Sequence, residues 1–354
     1  KVSISFENFM INPEVELFSD TKTRPGKAML EAMMTAEVGD EQADEDPTTN
    51  ALQKKVADLL GKEAALFVPS GTMCNQIAMA VHCQPGDEII ADKTAHIINF
   101  EASGPAVIAR ASIRPLDGVR GQFTVEQAQA GLRAGFRHAP DSKMIAVEQT
   151  ANMGGGSIWP LEVLESLSDL AKDNNLVTHM DGARLLNAVV ASGVSEKDYA
   201  ATVDTVWIDL SKGLGCPIGA VIAGSKEFIE KAWPWKQRLG GSMRQSGILA
   251  AAGIYALDHL VDRLTIDHAN ARLLATRLAQ IPGVQIDPLT VETNILIIDV
   301  TEASLSGPEI SAQLLEKGVR MGATGPSGLR AVTHLDVDEA GIIRAAEAFA
   351  NICS

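Results

Sequence analysis

Short apolar, β-branched runs alternate with longer stretches of helical period through most of the chain. "ALFV" (65–68), "EIIA" (88–91), "MIAVE" (144–148), "LVTHM" (176–180) and "VWIDL" (206–210) read as strands. Between several of them lie helix-length segments: "MLEAMMTAEV" (29–38), "GTMCNQIAMAVHC" (71–83) and "PLEVLESLSDLAKDNN" (160–175). That alternation predicts an α/β fold with a mostly parallel, mixed sheet. One pair must break the pattern. Only nine residues separate Leu210 from "AVIAG" (220–224), and a parallel crossover needs about a dozen or more, so these two strands are expected to be antiparallel neighbours.

Two long helical patterns, Gln245–His259 and Asp262–Gln280, read as the passage out of the sheet domain. "NILIIDV" (294–300), a helix around Pro308–Lys317, "LRAVTHLDV" (329–337) and a closing helix over Glu339–Ile352 predict a smaller C-terminal α/β domain. The expected division is a large domain over 18–261, with an N-terminal arm (1–17) and 262–354 forming the small one. In "HLDVDE" (334–339) the acids read as the start of the last helix, not as metal ligands.

Composition narrows the function. A formal net charge of -15 over 354 residues argues against a nucleic-acid or anionic-membrane partner, both of which need a basic face. The apolar run "GILAAAGIYALDHLV" (247–261) is broken by Asp258 and His259 and is too short to span a bilayer. Cys74, Cys83, Cys216 and Cys353 show neither metal-ligand spacing nor a disulfide framework, so no metal is expected and a reduced, cytoplasmic protein is. The chain starts at Lys1 and not at a methionine, which leaves room for an upstream segment.

Three motifs carry chemistry. "FVPSGTMCN" (67–75) is a strand followed by Ser70-Gly71-Thr72 and an apolar helix, a helix start whose N–H groups and hydroxyls suit a phosphate. No Gly-Lys-Ser/Thr follows, so it is not a P-loop, and G-x-S-x-G is absent, so it is not a nucleophile elbow. "LVTHMDGAR" (176–184) places Asp181 at a strand end, where ligands of open α/β sheets sit. "DLSKGLG" (209–215) places Lys212 at the end of the next strand, before a glycine-rich turn. A phosphate cradle, a strand-end acid and a strand-end lysine together suit pyridoxal 5'-phosphate. Its phosphate needs the helix start, its ring nitrogen needs a carboxylate, and its aldehyde needs an amine with which to form a Schiff base. His82 and His179 read as structural histidines.

"LFSDTKTRPGKAMLEAMMTAEVGDE", "GKEAALFVPSGTMCN", "HMDGARL", "LSKGLGCPIGA", "GGSMRQSGILAAAGIYAL" and "LRAVTHLDV" resemble the L-threonine aldolase family, from about Leu17 to the C-terminus. The resemblance implies pyridoxal-phosphate fold type I. It implies that Ser70, Gly71 and Thr72 hold the phosphate, that His96 in "TAHI" stacks on the ring, and that Asp181 bonds the ring nitrogen. Arg184 lies near the ring hydroxyl, and Ser19 and Arg330 grip the substrate carboxylate. Arg244 reaches the phosphate of a neighbouring subunit, so a homo-oligomer with shared sites follows, a dimer at least and commonly a tetramer. His138 matches a family histidine near the β-hydroxyl.

The implied reaction is cleavage of an L-3-hydroxy amino acid, of threonine, allo-threonine or phenylserine type, to glycine and an aldehyde, with His138 or His96 taking the hydroxyl proton. A related β-eliminating lyase, a racemase or an aminotransferase would use the same Lys212–Asp181 pair. A non-catalytic phosphate binder would leave that pair without a purpose. The chain departs from the family pattern at Ala43 and Ala151, where a tyrosine and a histidine are common, which points to a wider pocket for bulky β-substituents. Gln237 stands where the family has a lysine, flanked by Lys236 and Arg238 as candidates to compensate.

Overall fold

The computed structural model describes residues 13–133 and 135–353; most of the expected N-terminal arm, residues 1–12, lies outside them. The chain divides into two compact units, one over Arg24–Asp262 and the other joining the chain up to Thr23 with Arg263 onward.

Counted along the chain, β1 is Val15–Glu16, β2 Ala64–Val68, β3 Glu88–Asp92, β4 Ser112–Leu116, β5 Ser142–Glu148, β6 Val177–Gly182, β7 Thr205–Asp209 and β8 Ala220–Gly224. The larger unit holds a seven-stranded sheet in the order β2-β8-β7-β6-β5-β3-β4. Only β8 runs against the rest, antiparallel to both β2 and β7 as the short connection requires. Strands β3, β7 and β8 are buried along their whole length, which is why they appear as unbroken apolar runs. The exception is β4, "SIRPL". It is one of the two edge strands and, unlike β2 at the other edge, half-exposed along most of its length; its arginine and proline are edge-strand residues that hide the apolar signal.

Helix boundaries follow local chemistry. The helices α1 (Lys27–Met34), α2 (Pro47–Leu60), α3 (Gly71–His82) and α4 (His96–Asn99) open the unit. Asp46 caps α2 by accepting the Thr49 N–H at 2.8 Å, Pro47 takes the first helical position, and Gly61 closes it at φ 63°. Between β7 and β8 the chain folds back at Gly219, whose φ is 114°; a Cβ there would meet the Phe67 ring at 2.5 Å, so the position admits only glycine.

The smaller unit carries β9 (Ile295–Asp299), β10 (Val319–Arg320), β11 (Gly322–Gly325) and β12 (Gly328–Val332). β11, β12 and β9 form an antiparallel sheet, while β1 pairs with β10 in parallel. Leu274, Leu278, Ile298, Leu314, Leu329 and Phe349 share its core. Within the run 329–337 the strand ends at Val332; the Val337 N–H turns back onto the His334 carbonyl, and Asp338 accepts the Gly341 N–H at 2.8 Å to start the last helix, Glu339–Cys353. Among the described residues no helix is long and apolar enough to cross a membrane.

Candidate active site

Six strands of the large sheet end at one edge, and the chemistry-bearing residues of this unit collect there. Register brings Glu148 beside Asp181, and Asp181 beside Trp207. Past β7 the chain turns, with the Gly215 N–H on the Lys212 carbonyl at 2.9 Å and the Cys216 N–H on that of Leu210 at 3.0 Å. Lys212 therefore sits on a fixed turn. Its Nζ lies 3.1 Å from Asp209 Oδ2 and 5.7 Å from the centre of the Trp207 ring, with its side chain 17% exposed. Asp209 is itself held by the Ser211 N–H and hydroxyl, at 2.7 and 2.8 Å.

Asp181 is buried, and both of its oxygens accept. Oδ1 takes the Ala183 N–H at 3.1 Å and Oδ2 takes the Asn75 amide at 2.8 Å. Burial pushes the Asp181 carboxyl above its ordinary value, against the pull of Lys212, His96 and Asn75. The same Asn75 amide group donates to Glu101 at 2.7 Å, and Glu101 also meets His96 Nδ1 at 2.8 Å. Burial alone would lower the His96 pKa. The Glu101 bond and the Asp181, Glu101 and Glu148 charges outweigh it and hold the imidazolium above the usual histidine range. Because Glu101 accepts, Nδ1 carries the hydrogen and Nε2 of the neutral ring is the basic atom. Glu148 accepts the His96 and Asn152 N–H groups, each at 2.7 Å, and burial with the nearby Asp181 pushes it up to about 7. By distance alone His96, Glu101 and Asp181 could hold a metal ion, but N–H donors already occupy the carboxylate oxygens.

At the start of α3, Ser70 Oγ accepts the Met73 N–H at 3.3 Å, and Ser70 and Thr72 are both exposed. Gly71 is buried against Trp207, and a Cβ there would meet the indole at 2.2 Å. Arg184 is buried before the helix Leu185–Ser192, its N–H on the Gln149 carbonyl at 3.1 Å.

In the other unit, Ser19 caps a short turn by accepting the Thr21 N–H at 3.2 Å, and Arg330 on β12 reaches the Phe18 carbonyl at 3.3 Å. These two predicted carboxylate ligands thus come together. Two other predicted residues do not join the group at the sheet edge. His138 precedes β5, at the end opposite Glu148, and is exposed and stacked on Phe136; the strand between spans about 20 Å. Arg244 is exposed and pairs with Asp40 at 2.8 Å. Of the two neighbours of Gln237, Lys236 is wholly buried and paired with Glu41, and Arg238 is exposed and lies over the Trp235 ring.

Sequence reasoning missed Asn75, Glu101, Glu148 and Asp209. Asp209 had a signal, an acid three residues before the lysine at a strand end. Asn75 and Glu101 had none until helix and loop were folded onto the sheet. The donor set fits pyridoxal phosphate: a helix start with two exposed hydroxyls, a buried acid that only accepts, and a lysine withdrawn from water.

Comparison with known proteins agrees with this chemistry. The beta-eliminating lyase family matches residues 16–303. The chain is 41% identical over 324 residues to a low specificity L-threonine aldolase of Escherichia coli K12, covering 91% of this chain and 94% of that one. It is 39% identical over 330 residues to low-specificity L-threonine aldolase 1 of Arabidopsis thaliana, covering 92% of each. Among solved structures, a Leishmania major threonine aldolase superposes with a TM-score of 0.81 at 20% identity, covering 96% of this chain and all of that one. A serine palmitoyltransferase of Sphingomonas wittichii does so at 0.74 and 16%, over 95% and 86%; these two likenesses speak for the fold.

Proposed function

The chain belongs to the beta-eliminating lyase family, alongside the low-specificity L-threonine aldolases, which are pyridoxal-phosphate-dependent carbon–carbon lyases of fold type I, and on that premise we propose that it cleaves L-3-hydroxy amino acids to glycine and an aldehyde. One observation carries the reading: Lys212 and Asp181, each withdrawn from water, stand at the same sheet edge with His96 bonded into the group.

Ser70, Gly71 and Thr72 would hold the phosphate, Asp181 the ring nitrogen and Lys212 the aldehyde carbon, with Arg184 serving the ring hydroxyl and His96 the ring face. Bound there, pyridoxal phosphate supplies a sink for the electron pair released as the Cα–Cβ bond breaks. Ser19 and Arg330 orient the substrate through its carboxylate, where a guanidinium fork fits best. His96 Nε2 takes the β-hydroxyl proton as the aldehyde forms, because Glu101 occupies Nδ1. A proton returned to Cα completes glycine. With His138 at the amino end of β5, His96 fills this role within one chain.

The assembly is a dimer at least, and a tetramer on the family pattern, with Arg244 lent to a neighbour; its 63% side-chain exposure is what supports this. Four free thiols, three of them buried, suit the reducing cytoplasm. For allo-threonine and phenylserine type substrates, space comes from Ala43, which is exposed. Ala151 is buried beside Gly121, and both line a small cavity with Glu148. A substrate panel with glycine and aldehyde both quantified tests the reaction. A keto acid with ammonia, or the enantiomer of the substrate, would replace this reading with an elimination or a racemisation. A clear threonine preference in kcat/KM over phenylserine would remove the bulky-substrate idea.

A further inference from the structure

His179 and Thr205 stand opposite one another on β6 and β7. The two-residue period of a strand puts Asp181 and Trp207 on the same faces, and the helical period of α3 aligns Asn75 with His82 two turns on. The hydrogen bonds between these six side chains can be assigned a direction from donor chemistry together with the neutral state of the two imidazoles. Indole Nε1 only donates, so the Asn75 atom 2.7 Å from Trp207 is its oxygen, and its amide nitrogen faces the carboxylates of Asp181 and Glu101. That oxygen also receives His179 Nε2 at 3.0 Å, so Nε2 carries the hydrogen. Burial lowers the His179 pKa to about 3, so the ring is neutral and Nδ1 accepts. The hydroxyl of Thr205, 2.9 Å from Nδ1, therefore donates to it. With its one hydrogen committed, Thr205 can only accept from His82 Nε2 at 3.2 Å. His82 is likewise neutral, lowered to about 4 chiefly by burial.

We propose that His82, Thr205, His179 and Asn75 form a one-way chain of hydrogen bonds that ends on Asp181 Oδ2 and keeps this carboxylate an acceptor for the protonated ring nitrogen of the cofactor. Every donor points towards Asp181, and each bond polarises the next. Oδ2 accepts the Asn75 N–H and Oδ1 the Ala183 N–H, and both bonds favour the anion against the burial that raises the Asp181 carboxyl. The two histidines are positioning residues acting through Asn75. This inference rests on the pyridoxal-phosphate reading of the site and adds a direction to it.

Neutron crystallography of the deuterated, cofactor-loaded protein tests the direction without any substitution. Deuterium is expected on His179 Nε2 and His82 Nε2, and on Thr205 Oγ1 pointing at His179 Nδ1. Deuterium on His179 Nδ1 would reverse the chain and overturn the proposal, whatever the enzyme's products are. Thr205→Val tests its consequence, since it removes the central link and keeps the shape. The Kd of the apoprotein for pyridoxal phosphate should rise about three- to ten-fold, the scale of one hydrogen bond. The kcat for aldehyde release should fall by a similar factor, KM should change less than about two-fold, and Thr205→Ser should restore both. An unchanged Kd in Thr205→Val would sink the coupling to the cofactor. Correct deuterium positions in a protein that releases no glycine would instead sink the proposed reaction.

Discussion

Two lysines of the large unit are withdrawn from water beside a carboxylate, and the proposed function gives chemistry to only one of them. Lys236 lies inside the helix Lys226–Arg238, fully buried, paired with Glu41 and 5.1 Å from the Trp233 ring centre. Burial lowers its pKa to about 7. Lys212 sits on a strand-end turn, keeps a 17% opening, and faces an Asp209 whose other oxygen is tied down by Ser211. A low lysine pKa is often taken as the mark of a reactive amine, yet Lys236 has one with its side chain wholly buried. Access and position at a sheet edge decide function; burial alone decides only a cost.

That contrast can be broken by substitution. Lys212→Ala should cut kcat/KM about ten-thousand-fold, some 5 kcal/mol of barrier, with the melting temperature of the apoprotein little changed. Lys236→Met should do the reverse. It leaves the buried Glu41 without its cationic partner and should cost about 3–5 kcal/mol of stability in urea unfolding, most of it recovered when Glu41→Leu is added. Loss of activity in Lys236→Met at full folding would erase the distinction between the two lysines.

Glu101→Gln sharpens the comparison by altering the acid–base group and sparing Lys212. Glu101 raises the His96 pKa through its hydrogen bond and its charge. Its removal should move the acid limb of the kcat/KM profile to lower pH and reduce the plateau about ten- to a hundred-fold. An acid limb that stays in place would take His96 out of the titration.

The last expected effect is on stability against pH. His82, His179 and His268 are held neutral by burial, at about 4, 3 and 4. Below the unfolded histidine value near 6.5, the unfolded chain binds protons that the folded chain refuses, so stability falls on acidification. Glu148, at about 7, already holds a proton when folded and offsets part of this. The net loss should be about 2 kcal/mol between pH 6.5 and 5.5, seen as a falling urea midpoint. A midpoint that rises over that range would show a charged histidine in the core.

Much of this was legible in the sequence, and the gaps have physical causes. Apolar runs located β7 and β8, and nine intervening residues were enough to make them antiparallel. Asp181 and Lys212 stood out because strand ends in an open sheet are few. β4 escaped because an edge strand carries Arg114 and Pro115 where an inner strand would carry apolar residues. Asn75 escaped for a different reason. It lies in the apolar helix α3, and its partners Glu101, His179, Asp181 and Trp207 lie 26 to 132 residues away, so its role exists only in the folded chain. The setting of Ala151 was equally hidden: it lies buried beside Gly121, about thirty residues earlier in the chain.

The most direct test of the account is borohydride reduction of the cofactor-loaded protein, followed by proteolysis and mass mapping of the pyridoxyl tag. The account predicts the tag on Lys212 and none on Lys236. A tag on any other lysine, or no tag on protein that has bound the cofactor, would contradict it.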